Sequence, residues 1–192
     1  MKEAIEKAVA VLRKGGIILY PTDTVWGIGC DATDAEAVAR IYALKQRSDS
    51  KSLVLLASDV DMICRYVREI PEIALQLIEV NDKPMTIIYP GALCGGSYGL
   101  AENVVAEDGS VGIRIPMADF PRELVRRFGK PLVSTSANIS GQATPKCYSE
   151  IDQAIVGGVD HCVDPVYERD SDGKASQIIK LGLDSSVEVI RK

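Results

Sequence analysis

Two kinds of side chain able to do chemistry recur in this sequence, fixed cations and hydroxyls. Lys45, Arg47 and Lys51 lie close together, Arg114 precedes Ile115-Pro116, and Ser134-Thr135-Ser136-Ala137-Asn138 is a serine-rich run. Such a set suits a polyanion, whose charge the cations neutralise and whose oxygens accept bonds from guanidinium, ammonium and hydroxyl donors. Cations near a helix C-terminus also answer the helix dipole, so Lys45 and Arg47 alone do not make a site. Residues two apart on a helix do not share a face. Both can therefore meet one ligand only if the helix ends there, and Ser48-Asp49-Ser50 supplies an ending. Thr22-Asp23-Thr24 has no hydrophobic reason to exist; it is either a ligand loop or a turn held by its own hydroxyls.

The same inventory excludes several machines. With the single His161, a histidine-rich zinc centre is ruled out and a Ser-His-Asp triad would have to be built on that residue, for which we expect a structural or surface role. Gly91, Gly95, Gly96 and Gly99 lack the Lys-Ser/Thr ending of a P-loop and the strand-to-helix setting of a dinucleotide fold. Cys30, Cys64, Cys94, Cys147 and Cys162 are odd in number and irregularly spaced. They suggest reduced, mostly buried thiols and neither a disulfide framework nor a zinc ribbon.

The elements that must carry these groups alternate between strand and helix. Ile5, Ala8, Val9 and Leu12 recur at helical spacing before Gly15-Gly16. Ile17–Tyr20 then reads as a strand that delivers Thr22-Asp23-Thr24 into a loop, and Asp34 as the N-cap of a helix to about Gln46. Ser52–Ala57 reads as a strand, Ser58 with Asp61 as a capping box for a helix through Val67, and Pro71 as the first turn of a helix through Val80. Strands are expected at Met85–Tyr89, Val111–Ile115 and Pro131–Ser134, with a helix over Asp119–Phe128 closed by Gly129 and a loop region over Gly91–Gly109. Ser149 is expected to cap a helix to Val156, with short strands at 159–163, 177–181 and 187–190. The serine-rich run is then a polar turn at the end of an apolar strand, where α/β folds place ligands. The pattern predicts a single α/β (α+β) domain over residues 1–192, a mixed sheet with helices on one or both faces.

The chain has 192 residues, 46% hydrophobic and 26% charged, enough to bury a core and too apolar for disorder. No apolar run approaches the roughly 20 residues of a membrane helix, and residues 1–14 lack the apolar stretch of a signal peptide, so a soluble, cytoplasmic protein without membrane contact is expected. A net charge of −5 argues against a broad nucleic-acid-binding surface but leaves room for a local basic site.

Four blocks in order, Tyr20-Pro21-Thr22-Asp23-Thr24-Val25-Trp26-Gly27-Ile28-Gly29-Cys30-Asp31-Ala32, Lys45-Gln46-Arg47, Arg114-Ile115-Pro116 and Ser134 to Gly141, resemble the signature of the YrdC family of threonylcarbamoyl-AMP synthases. The resemblance spans nearly the whole chain in the short, single-domain form. It implies a twisted sheet whose concave face holds L-threonine, bicarbonate and ATP, the last with Mg2+, and a product, threonylcarbamoyl-AMP, passed to a transferase that modifies an adenosine of tRNA. It further implies that Lys45 and Arg47 act on the phosphates, with Ser136 and Asn138 beside them and Lys51, Ser110, Thr144 and Arg191 completing the ATP site. Thr24, Arg114, Ser134 and Ser176 would hold threonine, and no metal ligand is implied among the protein's side chains. Ser48 and Leu56 replace the proline and histidine found in relatives at those places, Lys83-Pro84-Met85-Thr86 is a reduced form of a common block, and the glycine-rich loop after it is unusual. Two other readings stand beside this one, a YrdC-like paralogue with another substrate and a non-catalytic double-stranded RNA binder. The choice between monomer and dimer is open.

Overall fold

The computed structural model describes residues 1–46, 53–96, 98–170 and 173–192. The chain opens with helix α1 (Lys2–Leu12), which buries Ile5, Ala8, Val9 and Leu12 and is stopped by Gly15 at a φ of 72°. Strands β1 (Ile18–Tyr20) and β2 (Gly27–Gly29) pair antiparallel around the Thr22-Asp23-Thr24 loop. Helix α2 (Ala35–Leu44) is capped by Asp34, whose carboxylate accepts from the N–H groups of Glu36 and Ala37. Gln46 takes the left-handed conformation, so the helix does end beside Lys45.

The middle of the chain supplies β3 (Val54–Leu56), the short α3 (Val60–Cys64), α4 (Glu72–Val80), β4 (Met85–Tyr89) and β5 (Val111–Arg114). Then come α5 (Asp119–Phe128), closed by Gly129 at a φ of 83°, and β6 (Leu132–Ser136). Helix α6 (Gln153–Gly158) and strands β7 (His161–Cys162), β8 (Gln177–Leu181) and β9 (Val187–Arg191) complete it. Helix α5 turns Phe120, Leu124, Val125 and Phe128 inward and packs beside α1.

Among the described residues nine strands join one mixed sheet in the order β7-β1-β2-β6-β3-β5-β4-β8-β9. The pairs β1–β7, β3–β5 and β4–β8 are parallel; the others are antiparallel. Register makes the two faces unlike. Val133, Leu55, Ile113, Ile87 and Ile179 stand side by side across five strands, all buried in the core. One residue along, Ser134, Val54, Gly112 and Ile88 form the neighbouring row, and because side chains alternate across a strand this row points to the other face. That face carries the polar groups.

The structure corrects several sequence expectations. Gly27–Gly29, unassigned in the sequence, is an interior strand paired with β1 and β6, and residue 29 must be glycine there because an added Cβ would stand 2.7 Å from the Val133 carbonyl oxygen and 2.8 Å from the Tyr20 ring. Ser134-Thr135-Ser136 is not a turn but the end of β6, held by pairing of Thr135 and Ser136 with Ile28 and Gly27. Asp59, not Ser58, caps α3; its carboxylate accepts from Met62 N, and the Ser58 hydroxyl donates to Asp59 instead. That helix stops at Cys64, short of Val67. Asp152, not Ser149, caps α6, since residues Tyr148–Glu150 form a separate 3-10 turn. Of the five thiols only Cys30 is buried, and Cys64 and Cys94 are exposed. No helix among the described residues is long and apolar enough to cross a membrane.

Candidate functional site

The polar face of the sheet opens into a cavity of about 310 Å³, the size of a small-molecule site. Thr24, Arg114, Ser134, Ser136, Thr144, Ser176 and Arg191 all line it. Seven residues expected to bind ligand, spread over most of the sequence, are thus brought together. The sheet register explains the meeting: Val54 of β3 pairs with Ser134 of β6, Leu56 with Arg114 of β5, and Thr86 of β4 with Ile178 beside Ser176.

At the β1–β2 loop the Thr22 hydroxyl donates to the Val25 carbonyl at 2.7 Å and accepts from the N–H groups of Thr24 and Val25. With its one proton so used, it accepts from the Thr24 hydroxyl at 3.0 Å. The threonines therefore do form a locally bonded turn, and that turn sets the cavity wall. Asp23, between them, is the group that sequence reasoning did not place. Its Oδ1 accepts from Arg114 Nη1 at 2.7 Å, and its Oδ2 accepts from Met117 N at 2.9 Å. Both side chains of this ion pair are nearly inaccessible, 4% exposed for Arg114 and 6% for Asp23. Arg114 Nε is buried without a hydrogen-bond partner. Arg114 also lines the cavity, so its guanidinium, anchored by Asp23, brings a positive charge to the cavity wall.

On the opposite wall Ser176 is braced twice. Its hydroxyl lies 2.8 Å from that of Thr86, and Arg191 Nε donates to its carbonyl at 2.8 Å. Burial first, and then the charge of Arg114, lowers the pKa of Arg191. Two guanidinium groups sharing one cavity repel, and an anion placed between them relieves both.

Lys45 and Asn138 stand behind this cavity. Lys45, 2% exposed, donates from Nζ to the carbonyl oxygens of Ser136 at 2.5 Å and Asn138 at 2.6 Å. Its backbone carbonyl accepts from Ser140 N at 2.9 Å. The end of α2 is thereby stapled to the end of β6, with a positive charge under the turn. The Asn138 amide donates to the carbonyls of Ile139 and Gln142, while its Oδ1 is buried without a partner. Ser110 lies apart from the cavity lining; its hydroxyl donates to Asp108 Oδ1 at 2.6 Å, and Asp108 also pairs with Lys180. Arg47, Lys51 and the Ser48 substitution lie outside the described residues. His161 stands in β7, half-buried, and is not part of the cavity lining.

Thr22 lines the cavity with the rest of its loop, and Val25, Gly27, Val54 and Ile178, which were not expected there, line it too. A Cβ on Gly27 would meet Ser134 Oγ at 3.2 Å and Thr22 Cγ2 at 3.3 Å, so the glycine keeps the floor open, a reason that exists only in the folded chain.

Fold and site together define an α/β protein with a cavity of small-molecule size, lined by hydroxyls and two guanidinium groups, on the polar face of a mixed sheet. The model of the Sua5/YciO/YrdC family, described as "Telomere recombination", matches residues 10–192. Threonylcarbamoyl-AMP synthase of Stenotrophomonas maltophilia is 34% identical over 169 residues, which is 85% of this chain and 88% of that one. The synthase of Chromohalobacter salexigens is 37% identical over 142 residues, 73% of this chain and 74% of that one. Among solved structures, P. abyssi Sua5 complexed with L-threonine superposes with a TM-score of 0.82 at 25% identity, covering 92% of this chain. This chain spans 50% of the length of that Sua5. E. coli YciO gives a TM-score of 0.80 at 25% identity, covering the whole of this chain and 90% of YciO. The chain belongs to the Sua5/YciO/YrdC family.

Proposed function

We infer that the chain is an L-threonylcarbamoyladenylate synthase, an enzyme that joins L-threonine, bicarbonate and ATP into threonylcarbamoyl-AMP with release of pyrophosphate and water. The observation that carries this reading is the guanidinium of Arg114 at the wall of a cavity lined also by Thr24, Ser134 and Ser176. A free amino acid offers what that arrangement lacks, a carboxylate for the cation with polar groups at the adjacent carbon. The relatives at 34% and 37% identity are named as synthases, whereas the likeness to YciO is 25%.

In the reaction, the threonine amine takes up carbon dioxide from bicarbonate as a carbamate. A carbamate oxygen then attacks the α-phosphorus of ATP, and the bond from that phosphorus to the bridging oxygen breaks to release pyrophosphate. Neither step asks for a protein nucleophile. The protein's contribution is to hold the carbamate and phosphate in line and to balance their charge, which is where most of the rate in such transfers arises. Arg114 holds the threonine carboxylate, with Thr24, Ser134 and Ser176 around the amino acid. Ser136 and Asn138 face the phosphates with Lys45 beneath them, Arg47 and Lys51 adding charge. Thr144 and Arg191 complete the nucleotide end, and Ser110 lies farther along the same face.

Mg2+ enters with ATP on its phosphate oxygens; among the described residues no three His, Cys, Asp or Glu side chains are grouped to hold a metal. The adenylate then passes to a separate transferase acting on tRNA in the cytoplasm. Incubation with 13C-bicarbonate, L-threonine and ATP should yield an adenylate carrying the label, read by mass spectrometry. A chain that binds ATP and threonine but forms no labelled adenylate would overturn the assignment.

A further inference from the structure

We propose that Asp23 is a positioning residue for substrate recognition, fixing the Arg114 guanidinium in the orientation that receives the amino-acid carboxylate; this rests on the synthase reading above. Arg114 reaches the cavity from the end of β5, and its side chain has several rotatable bonds. Among the described residues, the only acceptor recorded for it is Asp23, through Nη1. One carboxylate therefore sets the plane of the guanidinium and which of its N–H groups remain for a ligand. Nε is buried without a hydrogen-bond partner, so no second acceptor fixes the guanidinium in place of Asp23.

The second oxygen of Asp23 does a different task. By accepting from Met117 N it ties the β1–β2 loop to the segment after β5, so the aspartate itself cannot swing. Two bonds at nearly right places, 2.7 and 2.9 Å, from residues more than ninety positions away, hold one side chain of a loop that also carries Thr24. Thr24 and Arg114 are thereby placed relative to each other by a single residue between Thr22 and Thr24.

A carboxylate next to a substrate carboxylate is at first sight unfavourable. Removing its charge leaves Arg114 and Arg191 facing the ligand with more net positive charge, which by Coulomb attraction alone would tighten an anion. If Asp23 only balanced charge, Asp23→Asn would improve threonine binding. If it aims Arg114, the same change weakens threonine binding in spite of the added charge. The two roles differ in sign.

The test is threonine-dependent pyrophosphate release at saturating ATP and bicarbonate, for wild type, Asp23→Asn, Arg114→Gln and the double variant. Positioning predicts that Asp23→Asn raises the threonine KM roughly ten- to hundredfold, the loss expected when a charge-assisted contact is misaligned. The KM for ATP should stay within about twofold. In the double variant the effect should be no larger than that of Arg114→Gln alone, because Asp23 acts through Arg114. An unchanged or lower threonine KM in Asp23→Asn, or losses that add in the double variant, would overturn the proposal while leaving the synthase reading intact. If wild type released no pyrophosphate in response to threonine, the synthase reading would fall and this inference with it. Should Asp23→Asn not fold, Asp23→Glu keeps the charge and displaces the carboxylate by one methylene. A raised threonine KM with an unmoved ATP KM then supports positioning, and unmoved values for both refute it.

Discussion

Replacing Lys45 by methionine should unfold the protein more readily before it does anything to phosphate binding. The substitution keeps a long unbranched side chain in a space that is 2% exposed, so it opens little cavity. What it removes is two charge-assisted bonds, to the Ser136 carbonyl at 2.5 Å and the Asn138 carbonyl at 2.6 Å. The Ser136 carbonyl keeps a second donor, Asn138 N at 2.9 Å, so it loses strength rather than its last partner. The Asn138 carbonyl suffers more. A bond to a charged donor is worth about 1.5–3 kcal/mol and a buried group left unmet costs about 1–3 kcal/mol, and the two losses overlap at one turn. We expect Lys45→Met to cost about 2–4 kcal/mol. For a chain of this size that is roughly 4–16 °C in Tm. Urea unfolding followed by fluorescence of Trp26, the single tryptophan and a buried residue between cavity-lining Val25 and Gly27, measures it directly. A change within about 0.5 kcal/mol, the range of ordinary surface substitutions, would refute the stapling role. A loss of ATP affinity in this variant would then need a folded-state control before it is credited to a lost phosphate contact.

Other outcomes follow from the same geometry. Gly29→Ala should be far more destabilising than Gly27→Ala by thermal denaturation, because its Cβ would meet the Val133 carbonyl oxygen at 2.7 Å, whereas the Gly27 Cβ meets only side-chain atoms at 3.2 and 3.3 Å. Gly27→Ala should fold and raise the threonine KM, since the methyl enters the cavity floor. The Asp108 carboxyl is lowered to about 2, first by the Lys180 hydrogen bond and then by the Ser110 hydroxyl. A carboxylate with a depressed folded-state pKa contributes stability above its unfolded value near 3.9, and the contribution is lost as pH falls from there through about 2. Wild type should therefore exceed Asp108→Asn in stability at neutral pH, with the gap closing between about pH 4 and pH 2. Because the pair is well exposed, that gap should stay under about 1 kcal/mol.

Much of the fold was legible wherever punctuation bounded a periodic run. Met85–Tyr89 sits between Pro84 and Pro90, Asp119–Phe128 ends on Gly129, and both occur as read, as does Gln177–Leu181. The strand Gly27–Gly29 was not legible, because glycine carries no strand preference; only its crowding against Tyr20 and Val133 requires it there. The end of β6 was misread for the opposite reason. Serine and threonine suggest a turn, but pairing with β2 extends the strand through them. At the site, polar residues lacking a structural reason were visible one by one, and seven of them line one cavity. The Asp23–Arg114 pair was not visible, since 91 positions separate its members and nothing local marks either as the other's partner. Nor does sequence reveal that the Lys45 ammonium rests on backbone carbonyls, a contact made only once α2 and β6 end side by side.

The most direct test of the account is pyrophosphate release from ATP in the presence of magnesium, with L-threonine and bicarbonate supplied together, singly and not at all, and L-serine in place of threonine as a control. Release should require both threonine and bicarbonate and be much slower with serine. Release indifferent to threonine, or ATP binding without turnover under all of these conditions, would contradict it.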